Sequence, residues 1–329
     1  MQVHILQWNL RAKKTGATGD NVSITLEQFI TYSPITDRPP IKWPNNARVA
    51  LWIAPNIEHY EFQPPLNKYR NPWPRVCHPD VMDYSHHDYG NRVGFWRMLE
   101  VFDEYKLRAT VSLNVAVLEH YPEIRDAMTR RNWDFMSHGI YNTRYLFGMT
   151  MDEEREFYRD TIATLRKHTG KQLKGMLGPA FSSTVNTPNL MAEAGLIYSA
   201  DWFLDDQPFP IKVQKGRLIG VPYSREVNDS LLLRNPGFEA DYFLEVCKRQ
   251  FDVLYEEGAE SGRVMCIALH PYLTGQPHRL KYLAEALGYI VAHEGVWATT
   301  ADEIAEYYHA HYYDKEVARL RTSELAMPL

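Results

Sequence analysis

The chain has 329 residues and a formal net charge of −5, with 45% hydrophobic, 13% aromatic and 23% charged residues. That length allows one large barrel-type domain with a sizeable core, and the composition is ordinary for a globular protein. The absence of a basic excess or a dense Lys/Arg run argues against nucleic-acid binding, and no stretch has the apolar length of a membrane span.

Cys77, Cys247 and Cys266 are widely spaced and belong to no paired motif. Neither a disulfide framework nor a thiolate zinc site is indicated, and a reducing, cytoplasmic setting is expected. Residues 1–11 lack the basic flank and long apolar run of a signal peptide. Residues 12–23, rich in Gly, Thr and Lys, read as a loose arm, and 1–47 together as an arm and approach segment.

The apolar run Val49 to Ile53 reads as a strand buried on both faces, ending near Pro55. Asn56 and Glu58, two apart, then project from its carboxyl end with one parity. Residues 59–89, with five prolines and no helical period, read as a long functional loop or lid. A helix follows, with Phe95, Leu99 and Phe102 as its buried stripe.

Beyond it, strands are expected at 109–115, 133–137, 175–177, 196–200, 218–221, 264–269 and 296–298. Helices are expected at 122–130, 150–168, 187–194, 239–257, near 280–290 and after Thr300. Thr150-Met-Asp-Glu153 is a capping box, and Thr300-x-x-Glu303 caps the final helix. Repeated β-then-α units over 48–312 predict one α/β domain, a parallel barrel or a close relative, with a tail at 313–329.

In a barrel the carboxyl ends of the strands converge. Four of them carry polar residues: Asn56 with Glu58, His138, Asp201 with Asp205 and Asp206, and His270. One histidine after a strand is more often structural, but two with a carboxylate are the equipment for acid–base hydrolysis or for a metal. Asp205 and Asp206 read equally as turn caps before Pro208 or as substrate contacts. Asp201-Trp202 reads as a packing pair, and His86-His87 as part of a lid or subunit contact. Tyr307, Tyr308, His309 and His311 read as an interface or surface stripe, and a homo-oligomer is expected.

Through Ser137-His138-Gly-Ile-Tyr-Asn142 and Ile267-Ala-Leu-His270, the chain from Arg48 to Tyr308 resembles the polysaccharide deacetylase (NodB-type) superfamily. The resemblance implies an α/β fold, a distorted (β/α) barrel with about seven strands. It also implies a metal held by an Asp and a His-x-x-x-His pair, beside a general-acid histidine. Here His138 matches the first ligand histidine, His270 the acid, and Glu58 the carboxylate ligand. Asn142 stands for the second ligand histidine and Asn56 for the catalytic Asp. An amide is a poor zinc ligand and cannot accept a proton.

Asn56-Ile-Glu58, Ser137-His-Gly139, Asp88-Tyr-Gly-Asn-Arg92, Asp205-Asp-Gln-Pro208 and Pro222-Tyr223 with Asn228-Asp229 resemble one branch in particular. That branch holds the cofactor-independent allantoinases and cyclic-imide hydrolases. It implies hydrolysis of a C–N bond in a small, cyclic amide, ureide or imide. Glu58, with a raised pKa, would be the base, while His138 and His270 would hold the oxyanion and return the proton. Asn56, Tyr89, Arg92, Asn142, Asp205 and Asp206 would bind the substrate. No cofactor is expected; a zinc ion, if present, would rest on Glu58 and His138, an incomplete set. The alternatives are a metal-dependent carbohydrate or peptidoglycan N-deacetylase recruiting His59, His86 or His87, and a non-catalytic ligand-binding barrel. The expected partner is a small-molecule substrate, with neither nucleic acid nor membrane.

Overall fold

Strand β1 (Val49–Ile57) is buried along all nine residues, because it has a neighbour on each edge and a core on each face. The structure is a computed structural model, which describes residues 24–65, 79–234 and 238–326; the arm at 12–23 and Cys77 lie outside these. The alternation along β1 sorts its side chains. Val49, Leu51, Ile53 and Ile57 join a core with the flanking helices, whereas Ala50, Trp52 and Ala54 join a second core inside the curled sheet. Strand β8 (Arg263–Leu269) repeats the pattern, with Val264, Cys266 and Ala268 inside and Met265, Ile267 and Leu269 outside.

The remaining strands are β2 (Thr110–Leu113), β3 (Asp134–Ser137), β4 (Gly175–Met176), β5 (Tyr198–Ser199), β6 (Phe209–Ile211), β7 (Leu218–Gly220) and β9 (Val296–Thr299). Among the described residues they form one nine-stranded sheet in the order β6-β7-β5-β4-β3-β2-β1-β8, with β9 against β1. The pairings are parallel except β6 with β7. The fold is therefore the expected α/β distorted barrel, and its distortion has two sources.

First, β1 shares one edge between two partners. β9 pairs with Val49 to Trp52, and β2 only with Asn56 and Ile57. Pro55, expected to end the strand, falls in the gap between them; it is still in register with Leu269 of β8, and β1 continues past it on β2. Second, β8 meets the far side of the sheet through isolated contacts instead of a ladder. These are Val264 N to Asp206 O at 2.8 Å and Ala268 N to Val227 O at 3.0 Å, and from β1 Trp52 Nε1 reaches Pro222 O at 3.1 Å. Strand β6 escaped the sequence pattern because it is three residues long and holds Pro210, which an edge strand tolerates.

The stretch 59–89 is not a loop throughout. Asp80 caps a helix at Val81–Tyr89, which runs through a π-helical turn, Gly90–Gly94, into Phe95–Glu104. Its polar sequence has no apolar stripe to announce it. The capping box forms as expected, with Thr150 N on Glu153 Oε2 at 2.7 Å and Glu153 N on Thr150 Oγ1 at 3.3 Å. The segment read as a tail contains the helix Tyr313–Ala326. The aromatic stripe at 307–311 is partly internal: Tyr308 is buried, and Tyr307 packs on Trp43 and donates to the Lys42 carbonyl. Cys247 and Cys266 are buried and free, and no helix among the described residues is long and apolar enough to cross a membrane.

The π-turn lies against the turn that follows His270. A Cβ on Gly94 would fall 2.0 Å from the Pro271 carbonyl oxygen, and one on Gly90 2.8 Å from Tyr272 N. Gly94→Ala should displace the Pro271–Thr274 turn and destabilise the protein by about 1–3 kcal/mol in chemical denaturation. Unchanged stability would show that the two turns separate freely.

Candidate active site

The interior parity carries polar side chains to one end of the sheet. Asn56 and Glu58 continue the series Ala50, Trp52, Ala54; His138 continues from Met136; His270 continues Val264, Cys266, Ala268. Parallel strands place these continuations at the same end. There the Nε2 atoms of His138 and His270 both face Oε1 of Glu58, at 3.5 and 3.7 Å. All three side chains are more than nine-tenths buried.

Each imidazole is oriented from behind. His138 Nδ1 donates to the Leu177 carbonyl at 2.9 Å, which leaves Nε2 for the pocket. His270 Nδ1 meets Asp229 Oδ1 at 2.7 Å, while Asp229 Oδ2 accepts from His270 N at 2.7 Å and from Thr274 Oγ1 at 2.5 Å. Asp229 is fully buried. Asn114 ties the cluster at the backbone, accepting from His59 N at 2.9 Å and donating to the His138 carbonyl. Asn91, on the π-turn, donates to the Glu58 carbonyl at 2.9 Å.

Electrostatics separates the two central groups. Burial alone would raise Glu58, but the His138 hydrogen bond and the His270 and His138 charges outweigh it and bring its pKa down to about 2. The raised pKa expected for a Glu58 base is therefore not found. Burial alone would lower His270, but the adjacent Asp229 carboxylate, aided by Glu58, holds its pKa above the ordinary 6.5. The pocket thus pairs an ionised carboxylate with an imidazolium that has a proton to give.

Asn56 and Asn142 flank this centre. Asn56 Nδ2 is spent on Tyr223 Oη at 3.1 Å and on the Ala54 and Leu269 carbonyls at 3.3 Å. Asn142 Nδ2 donates to Tyr60 Oη at 2.5 Å, and Tyr60 donates to Glu58 Oε2 at 3.2 Å. Asn142 Oδ1 is buried without a hydrogen-bond partner among the described residues. A metal here would find Glu58 and His138; His270 Nε2 is kept as an N–H by Asp229 behind its ring, and the Asn142 amide oxygen is a poor ligand, so the set is too weak for a tightly held zinc. Among the described residues no group of three or more His, Cys, Asp or Glu is placed to hold a metal ion.

Four expected substrate contacts are engaged with other partners. Tyr89 Oη accepts from Arg97 at 2.6 Å. Arg92 pairs with Asp88 at 2.5 Å, and its side chain is 72% exposed. Asp205 binds Arg38 through both oxygens, at 2.8 and 2.6 Å, and accepts from Gln207 N at 3.0 Å, so it caps a turn. Asp206 meets Val264 at the amino end of β8, about 20 Å of strand away from His270. Helix and loop geometry, invisible in spacing, set these partners.

Other residues were missed. Asp229 was legible only as part of a family motif, and its role comes from a contact across 41 positions. His87, read as a lid residue, is buried and stacks on Tyr60 with ring centroids 3.7 Å apart. Asp201, read as a packing residue, accepts from Gly178 N at 2.8 Å, and burial raises its pKa to about 6.

The family model for polysaccharide deacetylases matches residues 78–199. A Schizosaccharomyces pombe protein described among the polysaccharide deacetylases is 29% identical, over 85% of this chain and 95% of its own. A Pseudomonas aeruginosa PAO1 crystal structure, also described as a polysaccharide deacetylase, superposes with TM-score 0.73 and 27% identity over 84% of this chain and 96% of that one. A crystal structure of PuuE allantoinase gives TM-score 0.72 and 28% identity over 84% and 95%.

If His270 acts as a proton donor, activity falls as pH rises through its raised pKa. Asp229→Asn removes the charge that holds the pKa up, so the alkaline limb of kcat/KM should move to lower pH. An unmoved limb in that variant would detach His270 from the pH profile.

Proposed function

We propose, for a chain that belongs to the polysaccharide deacetylase superfamily and hydrolyses carbon–nitrogen bonds other than peptide bonds, that the substrate is a small cyclic amide, ureide or imide opened without a metal. The observation that carries this reading is the pair of imidazole Nε2 atoms facing one Glu58 oxygen, each imidazole oriented from behind, beside amides in place of further ligands. The likeness to PuuE allantoinase supports it. Two buried free cysteines fit a reducing, cytoplasmic setting.

In this mechanism a water beside His138 and Glu58 attacks the carbonyl carbon. Its proton passes to His138 Nε2 in the state where that imidazole is neutral, with Glu58 held ionised by the protonated His270 that faces it. Glu58 steadies the imidazolium as it forms, with Tyr60 fixing its other oxygen. As the C–N bond breaks, His270 gives its Nε2 proton to the leaving nitrogen, and Asp229 keeps that imidazole charged and in place until then. The proton on His138 returns to His270 through solvent, and the sites reset. A ring amide leaves its amine tethered, so orientation within the pocket does much of the work.

Glu58→Gln keeps the shape of the side chain and removes its charge. Turnover of small ring ureides and imides should fall about 10²–10⁴-fold with the fold intact by circular dichroism. Full activity in that variant would remove Glu58 from the mechanism. Metal analysis of the protein purified without chelators tests the rest. A stoichiometric metal lost together with activity would replace this reading with a metal-dependent N-deacetylase, for which Asn142 Oδ1 is the candidate third donor.

A further inference from the structure

Arg234 stands beside the same cluster of side chains, on the side of Tyr272 and His87. Its Nη2 donates to Tyr272 Oη and lies 3.5 Å from His87 Nε2, and its guanidinium carbon sits 5.4 Å from the centroid of the Tyr272 ring. The neighbouring contacts lead directly to the catalytic groups. The Tyr272 and His270 ring centroids are 5.5 Å apart, and those of His87 and Tyr60 are 3.7 Å apart, with Tyr60 on Glu58.

The proton bookkeeping of this wall is consistent. His87 Nδ1 faces the Asp83 carbonyl at 2.7 Å and must donate there, so Nε2 is an acceptor toward Arg234. Burial lowers His87 to about 3, which keeps it neutral. Arg234 is thus fixed by a neutral imidazole and a phenol. It makes no ion pair with a carboxylate among the described residues, and its Nε and Nη1 have no hydrogen-bond partner among them. Arg234 is also exposed, so a ligand can reach it. A guanidinium that served only structure would be expected to meet a carboxylate in its fork.

We propose that Arg234 is a specificity residue that binds a carboxylate carried by the substrate, so that the preferred substrate is an anionic ring amide or ureide. This rests on the hydrolytic reading above and adds the substrate's charge. The ring would lie with its scissile carbonyl toward His138 and Glu58 and its acidic arm toward the Tyr272–His87 wall. Glu58 and Asp229 are already committed to His138, His270 and Thr274, so neither competes for the free side of the guanidinium.

A matched pair of substrates tests this: hydantoin, which is neutral, and hydantoin-5-acetate, which adds a carboxylate arm. Wild-type enzyme should prefer the acid. Arg234→Gln should lower kcat/KM for the acid about 10²-fold, chiefly through KM, and leave hydantoin unchanged; Arg234→Lys should recover part of the loss. Calorimetric binding of hydantoin-5-acetate, with melting temperatures of both variants, supplies a readout that does not need turnover. Equal losses for the two rings, or none for either, would overturn the assignment. Opening of hydantoin alone, without binding of the acid, would also overturn it and leave the hydrolytic reading standing. Arg234-dependent binding of the acid with no ring opened would support the anion site and remove the hydrolytic reading.

Discussion

The structure depends on β1 meeting the demands of both faces and both edges at once. Each buried N–H and C=O needs a partner, and each side chain must fit either the helix layer or the barrel interior. β8 satisfies one edge from Val49 to Pro55. The other is shared between β9 and β2, and the interval between them is where a proline is tolerated. That division opens the barrel. It also fixes the parity by which Asn56 and Glu58 leave the strand on the interior side, so the chemistry at the carboxyl end inherits its direction from packing nine residues earlier.

A second constraint is the burial of charge. Glu58, His138, His270 and Asp229 are nearly removed from water, and each is tolerated because another answers it. Glu58 stays ionised because imidazoles face it, and His270 stays protonated because Asp229 and Glu58 surround it. The same interactions that make burial possible assign the proton, so the acid and the carboxylate are set before any substrate arrives. Around them Tyr60, Asn142, Asn91 and Asn114 hold orientation through hydrogen bonds to neighbouring elements. The wall of Tyr272, His87 and Arg234 stands on the turn and helix that the Gly90–Gly94 segment allows to approach closely.

Legibility in the sequence followed periodicity. Where an element had one, as in the apolar run of β1, the alternation of β8 or the capping box at Thr150, position and type were readable to within a few residues. The helix Val81–Tyr89 had no apolar stripe and followed a proline-rich stretch, and β6 was a three-residue edge strand with an internal proline. In the site, Glu58, His138 and His270 were legible because each sits at a strand end with interior parity. Tyr89, Arg92, Asp205 and Asp206 were chosen from motif likeness without parity to constrain them, and their side chains are engaged elsewhere.

By itself, the sequence determined the alternation of strands and helices, and which strand ends carry carboxylate, imidazole and amide, because local pattern and chain direction are written residue by residue. Tertiary structure decided which of those groups meet and what charge they hold. Asp229 reaches His270, His87 turns inward and Arg234 lies beside Tyr272 through contacts between segments far apart in sequence. A pKa is set by burial and neighbours together, so Glu58, for which its position predicted a raised value, was brought down by histidines that only the closed sheet places against it.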